Sequence, residues 1–273
     1  MEMDQIRDHW DSLAKKYGLD LKSTTKTPTI KKLEINALAR AISNTKDAAQ
    51  TKSILEVGCG NGHNIFALSR LFPDYYFHGL DYSEEMITLA HRIKRESPSR
   101  NVKFDVANVL NLTNNNALEK EYNLVFTDRL LINLNSWKLQ QQGLTQLLSR
   151  VKKGGYLLII ENFMHAYENQ NYLRELIGLR ARTPDPYNKF IDEAKLESFA
   201  CDELNLKLLQ VENFGSMHDL ILYVLLPHIN NSEIIYDHPL MESVTSLLEK
   251  LPEEFVNVFG DFGQNKLYLF EKV

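Results

Sequence analysis

Residues 54 to 64, ILEVGCGNGHN, combine an apolar run with three glycines at alternate positions, Gly58, Gly60 and Gly62. Glycine weakens a strand and adds no side chain to pack, so its repeated use here indicates that the backbone passes close to a ligand that a Cβ atom would obstruct. The next segment, IFALSRLF, has the apolar spacing of a helix. A strand, a glycine turn and a helix in this order predict a ligand-binding turn.

Several ligands use such a turn, and the glycine spacing distinguishes among them. A dinucleotide fingerprint, G-x-G-x-x-G, would place its third glycine at His63, which weakens the prediction of NAD binding. A phosphate-binding P-loop would continue with Gly-Lys-Ser or Gly-Lys-Thr, and this turn does not. The segment resembles the first motif of class I S-adenosylmethionine-dependent methyltransferases, E/D-x-G-x-G-x-G, with Glu56 at its first position and the three glycines at the others.

The resemblance implies roles for the residues that follow the second strand. In this family that strand ends in a carboxylate that accepts hydrogen bonds from both ribose hydroxyls, and Asp81 follows the glycines by about twenty residues, as that geometry requires. Tyr82 and Met86 are implied to cover a face of the adenine. The alternative interpretation makes Asp81 a turn or helix-capping residue, and makes Tyr82 and Met86 ordinary core residues.

The resemblance also implies cofactor contacts for two residues that follow the third strand and for two residues at the end of the fourth strand. Asn108 stands where the family usually has the aspartate that meets the adenine amino group, and its carbonyl oxygen can accept the same hydrogen bond. Val109 is implied to offer backbone atoms. Thr127 and Asp128 end the fourth strand, and the alternative for Asp128 is a cap of the next turn. The turn that often reads L-x-H-L in the family reads LINL here, so it supplies no catalytic histidine.

The amino-terminal segment WDSLAKKYG resembles the leading helix that closes over the cofactor in many such enzymes. Trp10 and Tyr17 lie seven residues apart on one face of the predicted helix and are implied to contact the cofactor. Two ordinary packing residues would have the same spacing, so a lid and a packing helix both remain open.

Methyl transfer from a sulfonium is an in-line displacement, which needs alignment, exclusion of water and, for a hydroxyl acceptor, removal of a proton. Two positions are candidates for the base. One is His165, a few residues past the fifth strand, and the other is His218, whose imidazole the carboxylate of Asp219 could orient. The alternative for each is a loop or surface polar residue.

Arg174, Arg180 and Arg182 lie in the variable segment after the fifth strand, which resembles the acceptor-binding region of the family. Arginines at such a place can bind a phosphate or a carboxylate bidentately. Because acidic residues are interspersed among them, a solvated charged face is the alternative.

Apolar runs of strand length alternate along the chain with amphipathic stretches that are long enough for helices. The strand-like runs are residues 53–57, 76–80, 102–106, 122–127, 156–161 and 266–272. The alternation predicts an α/β fold with a doubly wound, mostly parallel, Rossmann-like sheet, and the whole pattern predicts seven strands with an antiparallel last one. Lys153-Gly154-Gly155 is expected to close the helix before the fifth strand.

We expect a single domain over residues 1–273. A length of 273 residues, of which 44% are hydrophobic, suffices to bury one substantial core. Within it we expect a helical lid over residues 1–50, a cofactor-binding core over 51–162, and an acceptor-binding region with C-terminal strands over 163–273. Helical additions are expected at the amino end and between 228 and 260.

Composition excludes several classes of function. A net charge of -5 argues against binding to nucleic-acid phosphates, and the pairs Lys31-Lys32 and Lys152-Lys153 are interpreted as solvated surface. The charged amino terminus lacks a secretory core, and the longest apolar run, 220–226, is too short for a bilayer, so we expect a cytoplasmic protein without membrane insertion. Cys59 and Cys201 lack the spacing of a disulfide framework or a metal site.

The sequence therefore predicts an S-adenosylmethionine-dependent methyltransferase that acts on a small molecule and releases S-adenosylhomocysteine. The closing segments resemble those of methyltransferases of bacterial surface-polysaccharide and modified-sugar biosynthesis, which favours an oxygen of a sugar or of a phosphate- or carboxylate-bearing metabolite. The alternatives are a cofactor-binding pseudo-methyltransferase without catalysis and an NAD-dependent oxidoreductase. Neither the acceptor nor the oligomeric state follows from the sequence.

Overall fold

The computed structural model describes residues 3–45, 52–96, 101–113, 118 and 121–273. Within them the strands are β1 (Ser53–Val57), β2 (Tyr76–Asp81), β3 (Val102–Val106), β4 (Tyr122–Asp128), β5 (Val151–Asn162), β6 (Leu206–Glu212) and β7 (Asn265–Lys272). They form one seven-stranded sheet in the order β3-β2-β1-β4-β5-β7-β6. Among the described strands, β7 runs antiparallel to its neighbours β5 and β6. The predicted fold class is confirmed.

The helices cover both faces of this sheet. They are α1 (Met3–Tyr17), α2 (Pro28–Ser43), α3 (His63–Leu71), α4 (Glu84–Glu96), α5 (Trp137–Leu148), α6 (Met164–Leu176), α7 (Glu193–Ser198), α8 (Ser216–Leu220), α9 (Leu226–Ile229) and α10 (Pro239–Leu248). A π-helical turn, Ile221–Leu225, joins α8 to α9. The domain boundary that we predicted between residues 50 and 51 lies outside the described residues.

One turn prediction was wrong. Lys153, Gly154 and Gly155 do not close a helix, because α5 already ends at Leu148 and all three residues lie within β5. Gly154 adopts a left-handed φ of 70°, and the pairing of β4 with β5 shifts register at this point. The glycines therefore let the strand continue through a bulge. In the sequence alone, glycines at a bulge look the same as glycines that end a helix.

The core consists of two apolar layers, one on each face of the sheet. Ile54, Phe126 and Leu158 pack in the layer with α2 and α3, whereas Leu55 and Leu157 pack in the layer with α5 and α7. This alternation follows from the two-residue period of a strand. Because both faces are covered, the carboxyl edge of the parallel strands is the place left open for a ligand.

None of the helices in the described part of the chain has the length and apolar character that crossing a bilayer requires.

Candidate active site

A cavity of about 1190 Å³ opens at the carboxyl ends of β1, β2 and β4. Its position is the switch point where the chain leaves β1 for the β2 side and later returns through β4. A volume above the ordinary range for one small molecule, roughly 300 to 1000 Å³, leaves room for a cofactor and an acceptor together. Eleven residues that we predicted for the cofactor line it: Trp10, Tyr17, Glu56, Gly58, Gly60, Asp81, Tyr82, Met86, Asn108, Val109 and Asp128.

The structure gives a second reason for the glycines of this turn, besides the close approach of a ligand. Gly58 and Gly60 have φ values of 81° and 53°, which favour glycine over any residue with a Cβ atom. A Cβ atom on Gly58 would lie 2.9 Å from Leu130 Cβ, and one on Gly60 would lie 2.8 Å from Thr24 Cγ2. The turn therefore requires glycine for its own conformation and packing, whatever ligand lies beside it.

Asp81 fixes the glycine turn from the end of β2. The backbone N–H of Gly60 donates to Oδ2 at 2.8 Å, and that of Ser83 donates to Oδ1 at 2.9 Å. A carboxylate offers about four acceptor positions, so the side chain can hold the turn and still accept from a ligand. The turn role that we left as the alternative is thus present, and it is compatible with the predicted ribose contact.

The predicted adenine site combines apolar and polar walls. Met86 and Val109 are buried beside the cavity. The Arg7 guanidinium lies over the Tyr82 ring, with Cζ 5.3 Å from the ring centroid. Asn108 accepts a hydrogen bond at Oδ1 from Leu110 N at 2.9 Å and so caps the turn that follows β3. The carbonyl oxygen predicted to meet the adenine amino group therefore has one of its two lone pairs in use.

A buried ion network lies under the cavity, and the sequence analysis missed it. Lys31, which we interpreted as solvated surface, is 5% exposed, and its Nζ lies 2.5 Å from Asp128 Oδ2 and 2.6 Å from Glu34 Oε2. Arg129 adds a second cation, with Nε 3.1 Å from Glu34 Oε1. Burial alone would raise the pKa of Asp128, but the charges of Lys31 and Arg129 lower it to about 2.

Arg129 is also strained, since it is a non-glycine residue with a φ of 59°. Its backbone is held on both sides. The N–H donates to Ile160 O at 2.7 Å, and the carbonyl accepts from Asn133 Nδ2 at 2.9 Å. The charge network and the strained residue together fix the segment after β4, where the amino-acid end of the cofactor was predicted.

Glu56 is the other buried acid of this wall. It accepts one hydrogen bond, from Asn64 Nδ2 at 2.8 Å, while the same amide donates to Asp128 Oδ2 at 2.9 Å. Burial raises the pKa of Glu56 to about 8, so the side chain is mostly protonated at pH 7 in the folded protein.

Because the pKa of Glu56 rises on folding to about 8, its effect on stability depends on pH. The Glu56 carboxyl group ionises near pH 4.5 in the unfolded chain and near pH 8 in the folded protein. Its contribution to the free energy of unfolding is therefore fully present below pH 4.5 and is lost as the pH rises to 8, by at most about 1.4 kcal/mol per pH unit. Glu56→Gln imitates the neutral form and still accepts from Asn64. In urea unfolding at pH 5 to 8, we expect the variant to gain stability relative to the wild type as pH rises. A constant difference across this range would contradict the assignment.

Thr127 is the predicted cofactor residue that lies apart from the other eleven. Its side chain is fully buried, is not among the described residues that line the cavity, and donates from Oγ1 to Glu161 Oε1 at 3.1 Å. Glu161 also accepts from the backbone N–H groups of Leu130, Leu131 and Ile132, at 2.8 to 3.2 Å. Thr127 therefore supports the loop behind the site through Glu161.

The structure places His165, one of the two predicted candidates for the base, away from the cavity. Its side chain is 64% exposed, lies outside the cavity lining, and contacts Asp261 Oδ2 through Nδ1 at 2.6 Å. Glu193 and Asp261 offer oxygens within 4.8 Å of this ring, the spacing of a metal site. The Lys266 ammonium already contacts both acids, at 3.1 and 2.6 Å, so their charge is taken up by an ion pair.

His218 and Asp219 form the predicted pair, but the residue that lines the cavity is Asp219 and not His218. His218 is fully buried, and its two ring nitrogens contact Asp219 Oδ1 and Thr29 Oγ1, both at 2.9 Å. It is not among the described residues that line the cavity, whereas Asp219 is. Asp219 also accepts from the Gln264 N–H at Oδ2, at 2.9 Å. The carboxylate therefore stands at the cavity and the imidazole lies behind it.

The three arginines separate into three environments. Arg174 is 4% exposed and donates to the backbone carbonyls of Arg180 and Tyr223, so it ties α6 to the π-helical turn. Arg180 is exposed and lies outside the cavity lining. Arg182 lines the cavity. Of the three predicted acceptor-binding arginines, the structure therefore brings Arg182 to the cavity, whereas Arg174 ties two elements together and Arg180 lies outside the lining.

The amino-terminal helix α1 forms part of the cavity wall. The His9 and Trp10 rings lie 4.3 and 5.9 Å from the Tyr187 ring, measured between centroids. Tyr187 donates to Asp185 Oδ2 at 3.1 Å, and Lys26 pairs with the same oxygen at 3.1 Å. These contacts link α1 to the segment after α6, and closure of this wall as a lid stays a prediction.

The sheet order, the glycine turn and the acid at the end of β2 together define a class I methyltransferase fold with its ligand cavity. A family model described as a methyltransferase domain matches residues 49–207, more than half of the chain. The chain therefore belongs to this methyltransferase domain family, and the predicted family is confirmed. S-adenosylmethionine, which we predicted as its cofactor, is the cofactor of this domain.

Two curated relatives are malonyl-[acyl-carrier protein] O-methyltransferases. That of Bacillus anthracis is 27% identical over 146 residues, which are 54% of this chain and 51% of the relative. That of Bacillus cereus is 29% identical over 144 residues, 48% of this chain and 50% of the relative. The chain spans about half the length of the curated relatives that it matches.

Similar solved structures cover nearly the whole chain. The CcbJ methyltransferase from Streptomyces caelestis superposes with a TM-score of 0.62 and 14% identity, over 97% of this chain and 98% of that one. Magnesium protoporphyrin IX methyltransferase (ChlM) from Synechocystis PCC 6803, solved with bound SAH, superposes with a TM-score of 0.60 and 11% identity, over 97% and 94%. At these identities the likeness concerns the fold.

Unpartnered acceptors in the cavity fit the cofactor. Glu56 Oε2, Asn61 Oδ1 and Asn64 Oδ1 are buried and have no hydrogen-bond partner among the described residues. All three side chains line the cavity around the glycine turn. Buried polar atoms are normally satisfied, so a ligand with donors is expected there. The ammonium and hydroxyl groups of S-adenosylmethionine are such donors.

Proposed function

We propose that the protein transfers the methyl group of S-adenosylmethionine to an oxygen atom of a small acceptor. The observation that carries this proposal is one continuous cavity that reaches from the glycine turn and Asp81 to Asp219 and Arg182. Its volume suits two ligands held side by side. The bound cofactor supplies an electrophilic methyl group on a sulfonium, and the tasks of the chain are to bind, align and exclude water.

Asp81 and the segment after β4 would hold the cofactor by accepting from its hydroxyl and ammonium groups. The wall formed by α1 and the residues around Tyr187 would exclude water. A hydroxyl acceptor loses a proton during transfer, and we propose Asp219 as the base that takes it. With Asp219 ionised, His218 donates from Nδ1 to Oδ1, and the Thr29 hydroxyl donates to Nε2. His218 is then a positioning residue for the carboxylate.

An oxygen of a sugar, or of a phosphate- or carboxylate-bearing metabolite, is compatible with a cavity whose acceptor end carries tyrosines, amides and Arg182. A role in surface-polysaccharide or modified-sugar biosynthesis is supported by the sequence pattern of the closing segments alone.

Transfer of isotopically labelled methyl from S-adenosylmethionine tests the proposal. We would offer three acceptor sets: hydroxy acids, sugar phosphates and neutral sugars. We expect the label to appear in a methyl ether, which is stable to alkali, or in a methyl ester, which is not, for at least one acceptor set. One S-adenosylhomocysteine should form for each methyl group transferred. If the protein binds S-adenosylhomocysteine but labels no compound of any set, the non-catalytic alternative is favoured over the proposal.

A further inference from the structure

We infer that Arg182 is an anion subsite in the acceptor half of the cavity, so that the acceptor carries a carboxylate or a phosphate group. This inference rests on the proposed function and deepens it. It singles out one residue, held by a defined set of contacts, as the part of the site that selects the acceptor by charge.

The Arg182 guanidinium contacts two aromatic rings. Its Cζ lies 3.6 Å from the centroid of Tyr223 and 4.9 Å from that of Tyr167. Stacking of this kind holds the planar group through cation–π contacts and leaves its edge available for hydrogen bonds. The π-helical turn that carries Tyr223 is therefore part of the support for the subsite.

The hydrogen bonds of the guanidinium are with neutral groups. Nη1 donates to Gln170 Oε1 at 2.5 Å and to Gln264 Oε1 at 3.2 Å. Among the described residues, no carboxylate lies within ion-pair distance of Arg182. The acid three residues further along, Asp185, is already paired with Lys26 at 3.1 Å. A cavity cation that is in direct contact with neutral groups, and not with a carboxylate, is suited to an anionic ligand.

The backbone of Arg182 is fixed as well. Its N–H donates to Asn171 Oδ1 at 2.8 Å, and its carbonyl accepts from Asn171 Nδ2 at 3.1 Å. One amide side chain thus holds both polar groups of the residue. A subsite fixed in this way loses little conformational entropy when an anion binds.

The subsite lies beside the proposed base. Gln264 accepts from Arg182 through its side chain and donates from its backbone N–H to Asp219 Oδ2 at 2.9 Å. One residue therefore connects the cation that would hold the acceptor to the carboxylate that would take its proton. The glycine turn and Asp81, which are predicted to hold the cofactor, contribute nothing to these contacts.

The test is a titration of protein loaded with S-adenosylhomocysteine, at constant ionic strength, with sodium benzoate, inorganic phosphate and the neutral analogue benzamide. We expect at least one of the two anions to bind the wild type more tightly than benzamide does. Benzoate and phosphate identify which anionic group the site prefers. In Arg182→Met we expect at least tenfold weaker binding of that anion, because charge-assisted hydrogen bonds are lost.

Controls separate the possible failures. Arg180→Met removes an exposed arginine outside the cavity and should bind the anion like the wild type. Arg182→Lys keeps the charge and should bind with intermediate affinity, which covers the case that the methionine variant folds poorly. The inference is overturned if neither anion binds the wild type, if both arginine-182 variants bind as the wild type does, or if Arg182→Met weakens S-adenosylhomocysteine binding equally. A wild type that does not bind S-adenosylhomocysteine would instead refute the proposed function.

Discussion

Lys31→Met should destabilise the cofactor-free protein by about 3 to 5 kcal/mol, the usual effect of removing one partner from a buried ion pair. The substitution leaves Asp128 and Glu34 with Arg129 as their neighbouring cation, in a region where the side chains of Lys31, Asp128 and Glu34 are at most 6% exposed. Such a loss is a large part of the total stability of an ordinary domain. Urea unfolding followed by circular dichroism would measure it.

Lys32→Met is the matched control. Lys32 is the next residue of the same helix, and its Nζ lies 2.6 Å from Glu242 Oε2, but its side chain is 47% exposed and that of Glu242 is 59% exposed. Exposed ion pairs contribute little, so a change below about 1 kcal/mol is expected. Equal effects of the two substitutions would contradict the buried network.

These two lysines illustrate the limit of sequence reasoning. They are adjacent, and both were interpreted as solvated surface because a pair of lysines is too short for a nucleic-acid-binding patch. A usable signal was nevertheless present. Lys31 and Glu34 share the face of α2 that carries Leu38, with the spacing of three and four residues that defines one side of a helix. Charges on an apolar helix face indicate a buried pair, but the acid that completes it, Asp128, comes from β4.

Asp219→Asn should lower kcat of methyl transfer by roughly 100-fold to 10,000-fold, the range attributed to general-base catalysis. Asparagine keeps the size of the side chain, but its amide nitrogen is a donor. This nitrogen would face an N–H group, either that of His218 or that of Gln264, in place of a carboxylate oxygen. We expect the affinity for S-adenosylhomocysteine to change little, because the predicted cofactor contacts lie at the glycine turn.

Asp202→Asn is the control for the loss of one negative charge. Asp202 is exposed and contacts Ser198, so its substitution should leave kcat near the wild-type value. Labelled methyl transfer with a saturating acceptor would measure both variants. If Asp219→Asn retains full activity, the proton leaves by another route and Asp219 is not the base.

The cofactor side of the cavity was predictable because its signals are local. The glycine turn follows a strand directly, and Asp81 ends the neighbouring strand, so strand order alone brings them together. Thr127 lies near the end of β4 but outside the cavity lining, since consecutive strand residues point to opposite faces and this one points toward Glu161.

The acceptor side was less predictable because its residues come from distant segments. His165 and His218 were equivalent candidates in sequence, and their separation depends on contacts with Asp261 and Thr29 that no local pattern indicates. Arg182 likewise could not be distinguished from Arg174 and Arg180. Its place in the cavity depends on packing against Tyr167 and on the π-helical turn that carries Tyr223.

Titration of the wild type with S-adenosylhomocysteine in a calorimeter tests the central claim most directly, with Asp81→Ala and the exposed-site variant Asp74→Ala as comparisons. We expect saturable binding with one ligand per chain, unchanged affinity in Asp74→Ala, and affinity weaker by about 1 to 3 kcal/mol in Asp81→Ala, because a half-buried hydrogen-bond acceptor is lost. NAD should show no saturable binding. Saturable binding of NAD, or no detectable binding of S-adenosylhomocysteine by the folded wild type, would contradict the assignment of this cavity to a methyltransferase cofactor.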